Sequence, residues 1–419
     1  MNSSKHILVI GAGVVGLSTA YYAARKGHRV TVLDRGTAEH ENCSYGNAGY
    51  IVPSHFVPLA APGMVALGLK WMLRPDSPFY IKPRLDWKLW DWGLKFWRAA
   101  KAEHVERSAP LLRDLNFASR ACFEEFAEAT GNPFGLEKKG LLCLCRTEHK
   151  LEHEAKVAEQ ARQLGLKADV LTAKQTAELD PNVRMDIVGA VHFHDDCHLS
   201  PNRFMAALKQ EVQRLGAKLV WATEAMGWRT SGERIKAVRT VADEFEADEF
   251  VLCGGSWSPV LLRELGVRLP MQAGKGYSLT LPKPRQLPSI PAVLTERRVA
   301  VTPMGSSLRF GGTMEIAGLN ENISPVRVQA IMKAATLYYP DFTPDDFRDV
   351  KPWWGLRPCS PDGLPYIGRF ARWANLSAGT GHAMMGLSLG PITGKLLAEV
   401  LSGEKPSIGL QLLSPDRYG

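Results

Sequence analysis

The sequence predicts an α/β protein, α+β overall, with one unit on a parallel sheet and a second on a mainly antiparallel sheet with helices. Three observations predict it. The chain opens with a strand, a glycine-rich turn, a helix and a second strand, all before Asp34. Its 419 residues exceed what one hydrophobic core comfortably serves. Strand-like and helix-like stretches then alternate to the C-terminus, so one unit is assembled from separate segments with the other inserted between them.

The elements follow in order. His6 to Ile10 reads as a buried strand, Val14 to Lys26 as a helix stopped at Gly27, and Arg29 to Leu33 as a second strand. Residues 42–75 are rich in Gly, Pro and Ala and read as a long loop. Leu111 to Ala129, Leu151 to Leu164 and Pro201 to Leu215 read as helices, the last entered through Ser200-Pro201. Gly140 to Cys145, Gly189 to His194, Lys218 to Thr223, Ile235 to Val241, Glu249 to Cys253 and Asn375 to Ala378 read as strands. No internal repeat or low-complexity segment interrupts them.

Composition narrows the classes. An apolar fraction of 45% and a charged fraction of 22% are those of an ordinary globular protein. The net charge of +8 suits an anionic cofactor, an acidic substrate or a membrane surface, and no like-charge run resembles a nucleic-acid-binding arm. Seven scattered cysteines fit a reducing cytoplasm. The N-terminus carries no signal-peptide pattern, and the longest apolar stretch, Phe56 to Leu69, holds two prolines and is too short to span a bilayer. The expected location is cytoplasmic, or peripheral on the inner face of the cytoplasmic membrane.

Gly11-Ala12-Gly13-Val14-Val15-Gly16 carries the first chemical signal. The first glycine permits the tight turn, the second admits a pyrophosphate to the backbone, and the third lets helix and strand pack closely. Free N–H groups and the helix dipole then face phosphate oxygens. Asp34 accepts from ribose hydroxyls and repels a 2′-phosphate. A second glycine-rich turn, Gly379-Thr380-Gly381-His382, leads into Ala383-Met384-Met385-Gly386-Leu387 and a helix through Val400. Such a turn suits the negative charge that gathers on the pyrimidine edge of a reduced flavin, which selects FAD over NAD.

Together these segments resemble the D-amino-acid oxidase superfamily of FAD-dependent oxidoreductases, most closely its bacterial D-amino-acid dehydrogenase branch. The matching pieces add Ser44-Tyr45-Gly46-Asn47-Ala48-Gly49, Cys253-Gly254-Gly255-Ser256-Trp257-Ser258, Lys275-Gly276-Tyr277-Ser278-Leu279, Gly355-Leu356-Arg357-Pro358 and Pro361-Asp362-Gly363-Leu364-Pro365. The resemblance implies a Rossmann-type FAD-binding domain over 1–54, 195–262 and 350–419, and a substrate domain over 55–194 and 263–349. It implies non-covalent FAD held by Gly11 to Gly16, Asp34, Arg35, Ser44, Asn47 to Gly49, Ala225, Cys253 to Gly255, Trp257 and Gly381 to Leu387. It also implies oxidative deamination of D-amino acids to 2-oxo acids and ammonia, with hydride leaving Cα for flavin N5 and electrons passing to a quinone or another acceptor. Cys253, where Ala is common, and the bulky His382-Ala383-Met384-Met385 turn depart from the pattern and put substrate preference in question.

For the substrate, Arg357 is the expected carboxylate grip, since a guanidinium offers two parallel hydrogen bonds and the following proline favours an extended backbone. Tyr277 either gives a hydroxyl to that carboxylate, lies over the flavin, or is a packed strand aromatic. His382 is a candidate for contact with substrate or flavin and His55 a weaker one for substrate, against the commoner reading of a lone histidine as structural. Arg35 sits near the adenosine or is exposed, and Asp362 belongs to a structural turn. No Ser-His-Asp order and no metal-ligand cluster is visible. The chemistry needs positioning and a way to deprotonate the ammonium, with no assigned base.

Trp71, Trp87, Trp90, Trp92 and Trp97 form a cluster, with Trp87, Trp90, Leu94 and Trp97 on one helical face beside Lys88, Lys95 and Arg98. The favoured reading packs this face into a core; the other makes it a membrane anchor leading to a respiratory quinone. Three further functions compete: oxidation of a secondary amine or cyclic imino acid such as D-proline, hydroxyproline or sarcosine, flavin-dependent RNA modification, and a redox-inert FAD module. No nucleic-acid partner is expected.

Overall fold

A computed structural model describes residues 4–40, 42–72 and 77–419. The first sheet has six strands in the order Tyr366–Arg369, Leu376–Thr380, Glu249–Leu252, His6–Ile10, Arg29–Leu33, Lys218–Val220. All neighbours run parallel except the edge strand Tyr366–Arg369. His6–Ile10 lies near the centre because Ile7, Leu8, Val9 and Ile10 are buried on both faces, the usual state of a parallel strand. On one face the helices Val14–Arg25, Pro201–Arg214, Gly390–Leu401 and Ala102–Thr130 close a core through Leu17, Phe123, Phe204 and Leu396. On the other, the antiparallel strands Gly227–Ser231, Arg234–Arg239 and Glu244–Glu246 cover Leu8, Leu33 and Phe250 with Trp228, Ile235 and Val238.

The second sheet joins nine strands, mostly antiparallel, running from Trp353–Cys359 through Gln272–Leu281 and Ser307–Ile316 to Ala168–Thr172. Its parallel pairs are Ala292–Leu294 with Leu141–Cys145, and Phe79–Ile81 with Ser307–Ile316. The helix Pro325–Tyr338 seals one side over Leu279, Val301 and Phe310. The strand Trp353–Cys359 falls inside the 350–419 segment expected for the cofactor unit, yet it hydrogen-bonds to Gln272–Leu281 of the second sheet. Residue 357 is thereby held at the seam between the sheets.

Three elements differ from the sequence reading. The expected loop over 42–75 contains a short strand, Tyr50–Ile51, and a helix, Met64–Met72; its last residues, 73–75, lie outside the described residues. The helix expected from Leu111 begins at Ala102 and passes through Pro110. Its buried stripe of Leu112, Leu115, Ser119, Phe123 and Phe126 outweighs the ~3 kcal/mol that an interior proline costs. After Gly381 the chain makes a 3₁₀ turn at Ala383–Met385 before the helix Gly390–Leu401 begins.

That last helix crosses the first one at touching distance. A Cβ at Gly394 would stand 2.4 Å from the Ser18 carbonyl carbon, so only glycine fits the crossing. Gly394→Ala is expected to force the helices apart and destabilise the fold by about 1–3 kcal/mol, read as a lowered urea midpoint with bound flavin retained.

Candidate active site

The amino-terminal turn is shaped by backbone alone. Gly11 has a φ of +107°, and a Cβ there would lie 2.5 Å from the Cys253 carbonyl oxygen. A Cβ on Gly16 would lie 1.8 Å from the Gly11 carbonyl oxygen. Asp34 locks the turn by accepting from the Ala12 N–H at 2.6 Å and the Gly36 N–H at 2.7 Å. Each carboxylate oxygen keeps a lone pair for a ribose hydroxyl. Ser44 Oγ accepts from the Val14 N–H at 3.0 Å, which brings the following loop over the helix N-terminus. Arg35 is exposed, with its guanidinium stacked 3.8 Å above the Trp257 ring, and both line the cavity together with Ala225.

The cavity, of about 1490 Å³, runs from Asp34 and Arg35 past Gly11, Gly13, Val14, Val15 and Ser44. It continues along Asn47, Ala48 and Cys253 to Gly255, and reaches His382 to Leu387. Its volume exceeds the range of a single drug-sized ligand. Buried Arg309 donates through Nη1 to the carbonyls of Tyr45 and Asn47, each at 2.7 Å, and so fixes the loop wall. Ala12, Gly16, Gly49 and Gly381 do not line the cavity; they act by packing, as where a Cβ on Gly49 would meet the Leu199 carbonyl oxygen at 2.3 Å. These residues fit FAD: a phosphate turn closed to side chains, a stacked platform and an acid at one end, and a glycine-rich turn at the other.

Arg357 sits at the seam strand opposite Gly274. Its guanidinium lies where a Cβ on Gly276 would be 2.2 Å from Nη2, so that glycine makes its room. Nη1 donates to the Thr313 carbonyl at 2.5 Å. Among the described residues no carboxylate pairs with it, and burial lowers its pKa against the weak opposing pull of Cys43 and Cys359. Thr313 has a φ of +63°, an outlier for a β-branched residue, and its buried Oγ1 has no partner. The guanidinium is thus held by a single carbonyl and lacks a carboxylate among the described residues, the state in which it can give two parallel hydrogen bonds to an anion.

The other expected residues fall differently. Tyr277 borders the cavity, but its hydroxyl donates to Glu315 at 2.9 Å and accepts from the Ser324 N–H at 3.3 Å, while its ring packs in the second core. Burial and Glu315 keep the phenol protonated, and the packed-strand reading accounts for it. His382 is buried with Nε2 2.9 Å from Thr393 Oγ1, and burial pulls it down to about 3. It holds the turn against the last helix as an uncharged ring, with its Nε2 engaged by Thr393. His55 lines the cavity, its Nδ1 3.1 Å from Ser54 Oγ, and burial lowers it to about 4 against an opposing pull from Glu154. Sequence reasoning missed Thr313, Ser54 and Asp196, whose roles come from contacts between distant strands and loops. Trp353, packed on Gly46 and Gly355, was within reach as the neighbour of the Gly355-Leu356-Arg357-Pro358 motif.

The aromatic cluster reverses its favoured reading. In the helix Trp87–Ala99, Trp92 is buried, donates to the Cys359 carbonyl at 2.9 Å and stacks on Phe96. Trp87, Trp90, Leu94 and Trp97 face outward, exposed by 62%, 70%, 46% and 61%. The helix carries two apolar stripes, and the narrower one, with Leu89, Trp92 and Phe96, is the one that packs. Among the described residues no helix is long and apolar enough to cross a membrane.

A family profile described as FAD dependent oxidoreductase (DAO) matches residues 6–400. The chain is 32% identical over 417 residues to a D-amino acid dehydrogenase of Granulibacter bethesdensis, covering 98% of this chain and 99% of that protein. It is 32% identical over 421 residues to one of Bradyrhizobium diazoefficiens, covering 98% of each. Among solved structures, glycine oxidase from Geobacillus kaustophilus superposes with a TM-score of 0.79 at 22% identity over all of both chains. L-proline dehydrogenase from P. horikoshii superposes with 0.76 at 16% identity, over 100% and 98%. These two share the fold. For the FAD end of the cavity, Asp34→Ala is expected to leave two turn N–H groups without acceptors and weaken FAD binding by about 10- to 100-fold. Flavin absorbance per protein after dialysis measures it.

Proposed function

Because the chain belongs to the DAO family of FAD-dependent oxidoreductases, we propose that it oxidises the Cα–N bond of a D-amino acid, and that the resulting imine hydrolyses to a 2-oxo acid and ammonia. The observation that carries this reading is Arg357: a desolvated guanidinium on the cavity wall with no carboxylate partner in the described protein. Bound FAD supplies a hydride acceptor. Arg357 grips the substrate carboxylate with its fork, and Gly276, where a Cβ would collide with Nη2, leaves the guanidinium its room on the strand. Holding the carboxylate fixes the direction of the Cα–H bond, which supplies the orientation such a reaction requires.

Arg357→Ala is expected to raise KM by about 10- to 100-fold, the loss of a charge-assisted pair, with FAD content unchanged. Arg357→Lys should recover part of the loss. Steady-state kinetics with a dye acceptor over a panel of D-, L- and cyclic imino acids measures both the grip and the substrate class. Wild-type kinetics in Arg357→Ala would remove the assignment.

The electrons are proposed to leave to a quinone in a lipid bilayer, with the protein docked peripherally. The outward face of Trp87, Trp90, Leu94 and Trp97, with exposed Leu69 and Leu85 nearby in sequence, supports this reading. Lys88 and Arg98, exposed on the same helix, favour an anionic surface, whereas Lys95 is paired with Asp91. Both the helix Met64–Met72 and the helix Trp87–Ala99 also line the cavity, through Leu67, Trp71, Gly93 and Phe96, so docking there brings the cavity wall to the lipid. The protein is expected to sediment with vesicles containing anionic lipid, and Trp87→Ala/Trp90→Ala/Trp97→Ala to stay in the supernatant. A wild-type protein that never sediments ends the docking idea.

A further inference from the structure

Amine oxidation by hydride loss leaves one requirement open. The substrate arrives as an ammonium, and its nitrogen needs a free lone pair before the Cα–H electron pair can depart. His382 and Tyr277 are engaged elsewhere. A different group reaches the cavity with a path behind it.

Ser54 and His55 lie in the loop just after the strand Tyr50–Ile51. Ser54 Oγ donates to Asp196 Oδ2 at 2.5 Å, and the Ser54 N–H donates to Asp196 Oδ1 at 3.0 Å. His55 Nδ1 lies 3.1 Å from the same Ser54 Oγ. His55 lines the cavity that Arg357 lines, and no hydrogen bond to its Nε2 occurs among the described residues. Asp196 is wholly buried and forms no ion pair among them; the nearby Arg120 engages Asp195 and Glu124 instead. The three side chains form a continuous chain from the cavity wall to a buried carboxylate. It is not a nucleophilic triad, because the serine gives its proton to the carboxylate rather than to the imidazole.

Resting on the amine-oxidation reading, we infer that His55 takes the proton of the substrate ammonium and that Ser54 and Asp196 carry it into the protein. His55 Nε2 receives the N–H proton, the Nδ1 proton passes to Ser54 Oγ, and the serine's own proton passes to Asp196 Oδ2. The substrate is left as a neutral amine, the form from which FAD, when bound, would accept the Cα–H electron pair. After product leaves, the proton returns along the same chain to the cavity. His55 is the catalytic residue of this step; Ser54 and Asp196 are positioning residues.

The electrostatics agree with this direction of flow. Burial pushes Asp196 up to about 7, against the Ser54 hydrogen bonds and Arg120, with Asp195 adding to the rise. Tyr50, Cys143 and Cys197 also face it and are themselves held protonated by burial. His55 is kept neutral, and hence able to accept; the one charged group acting on it, Glu154, is already paired with Lys150 at 2.5 Å beside His153. The chain therefore operates while Asp196 is ionised, and stops as pH falls through about 7.

The test is the pH profile of kcat/KM for the FAD-loaded enzyme with a D-amino acid. Wild type is expected to lose activity as pH falls through an ionisation near that of Asp196. Asp196→Asn, Ser54→Ala and His55→Gln should each lose that ionisation and fall about 100-fold at neutral pH. All three should converge on wild type at alkaline pH, where the substrate arrives already deprotonated. Variants that bind FAD and either keep the wild-type profile, or are slowed equally at every pH, overturn the inference. If Asp196→Asn does not fold, Ser54→Ala carries the test, since it leaves the carboxylate in place. A wild-type flavin that no amino acid reduces at any pH sinks the amine-oxidation reading itself, a result separable from all of these.

Discussion

Two stretches of backbone touch in this protein without a side chain between them. The Gly11 turn lies against the Cys253 carbonyl, and Gly16 lies against Gly11. That contact sets the distance between the first helix and the strand Glu249–Leu252, and therefore the floor on which a dinucleotide rests. Everything above the floor is placed relative to it. Asp34 is locked to the turn by the Ala12 and Gly36 N–H groups, and Ser44 folds its loop over the helix N-terminus. Arg309 reaches from the second sheet to hold that loop by two carbonyls, so the two sheets share a wall.

The contrast between a buried and a half-buried cation on neighbouring strands shows how the cavity is tuned. Lys275 is surrounded by oxygen: Asn322 carbonyl at 2.6 Å, Asn320 at 3.0 Å and Glu315 at 3.9 Å. Arg357, opposite Gly274 on the adjoining strand, has a single carbonyl and an open wall. Leaving a desolvated charge so poorly compensated costs stability, and a protein retains such a charge where a ligand completes it. Thr313 repeats the pattern in miniature, with a strained backbone and a hydroxyl that nothing in the described protein satisfies.

The glycine motif is legible in the chain order because its whole physics is contained between His6 and Asp34. Strand, turn, helix and strand each leave a local trace in residue spacing, and the acid follows the second strand directly. Arg357 was singled out differently, by the resemblance of Gly355-Leu356-Arg357-Pro358 to a family motif, since a lone arginine on a strand is otherwise read as a solvated surface residue. The tryptophan helix was not. Residues 87, 90, 94 and 97 and residues 89, 92 and 96 both repeat at helical spacing, and periodicity cannot say which stripe finds a neighbour. The Cys359 carbonyl, waiting for the Trp92 indole, decided it.

Local spacing along the chain by itself determined the first dinucleotide half and the mixed architecture, because those depend on interactions among near neighbours in sequence. Tertiary structure alone decided that Tyr277 and His382 are spoken for, that the outer face of one helix is bare, and that Ser54 meets a carboxylate 142 residues away. Hydrogen bonds between distant segments impose no periodicity on either partner, so nothing in the order of residues announces them until the sheets have closed.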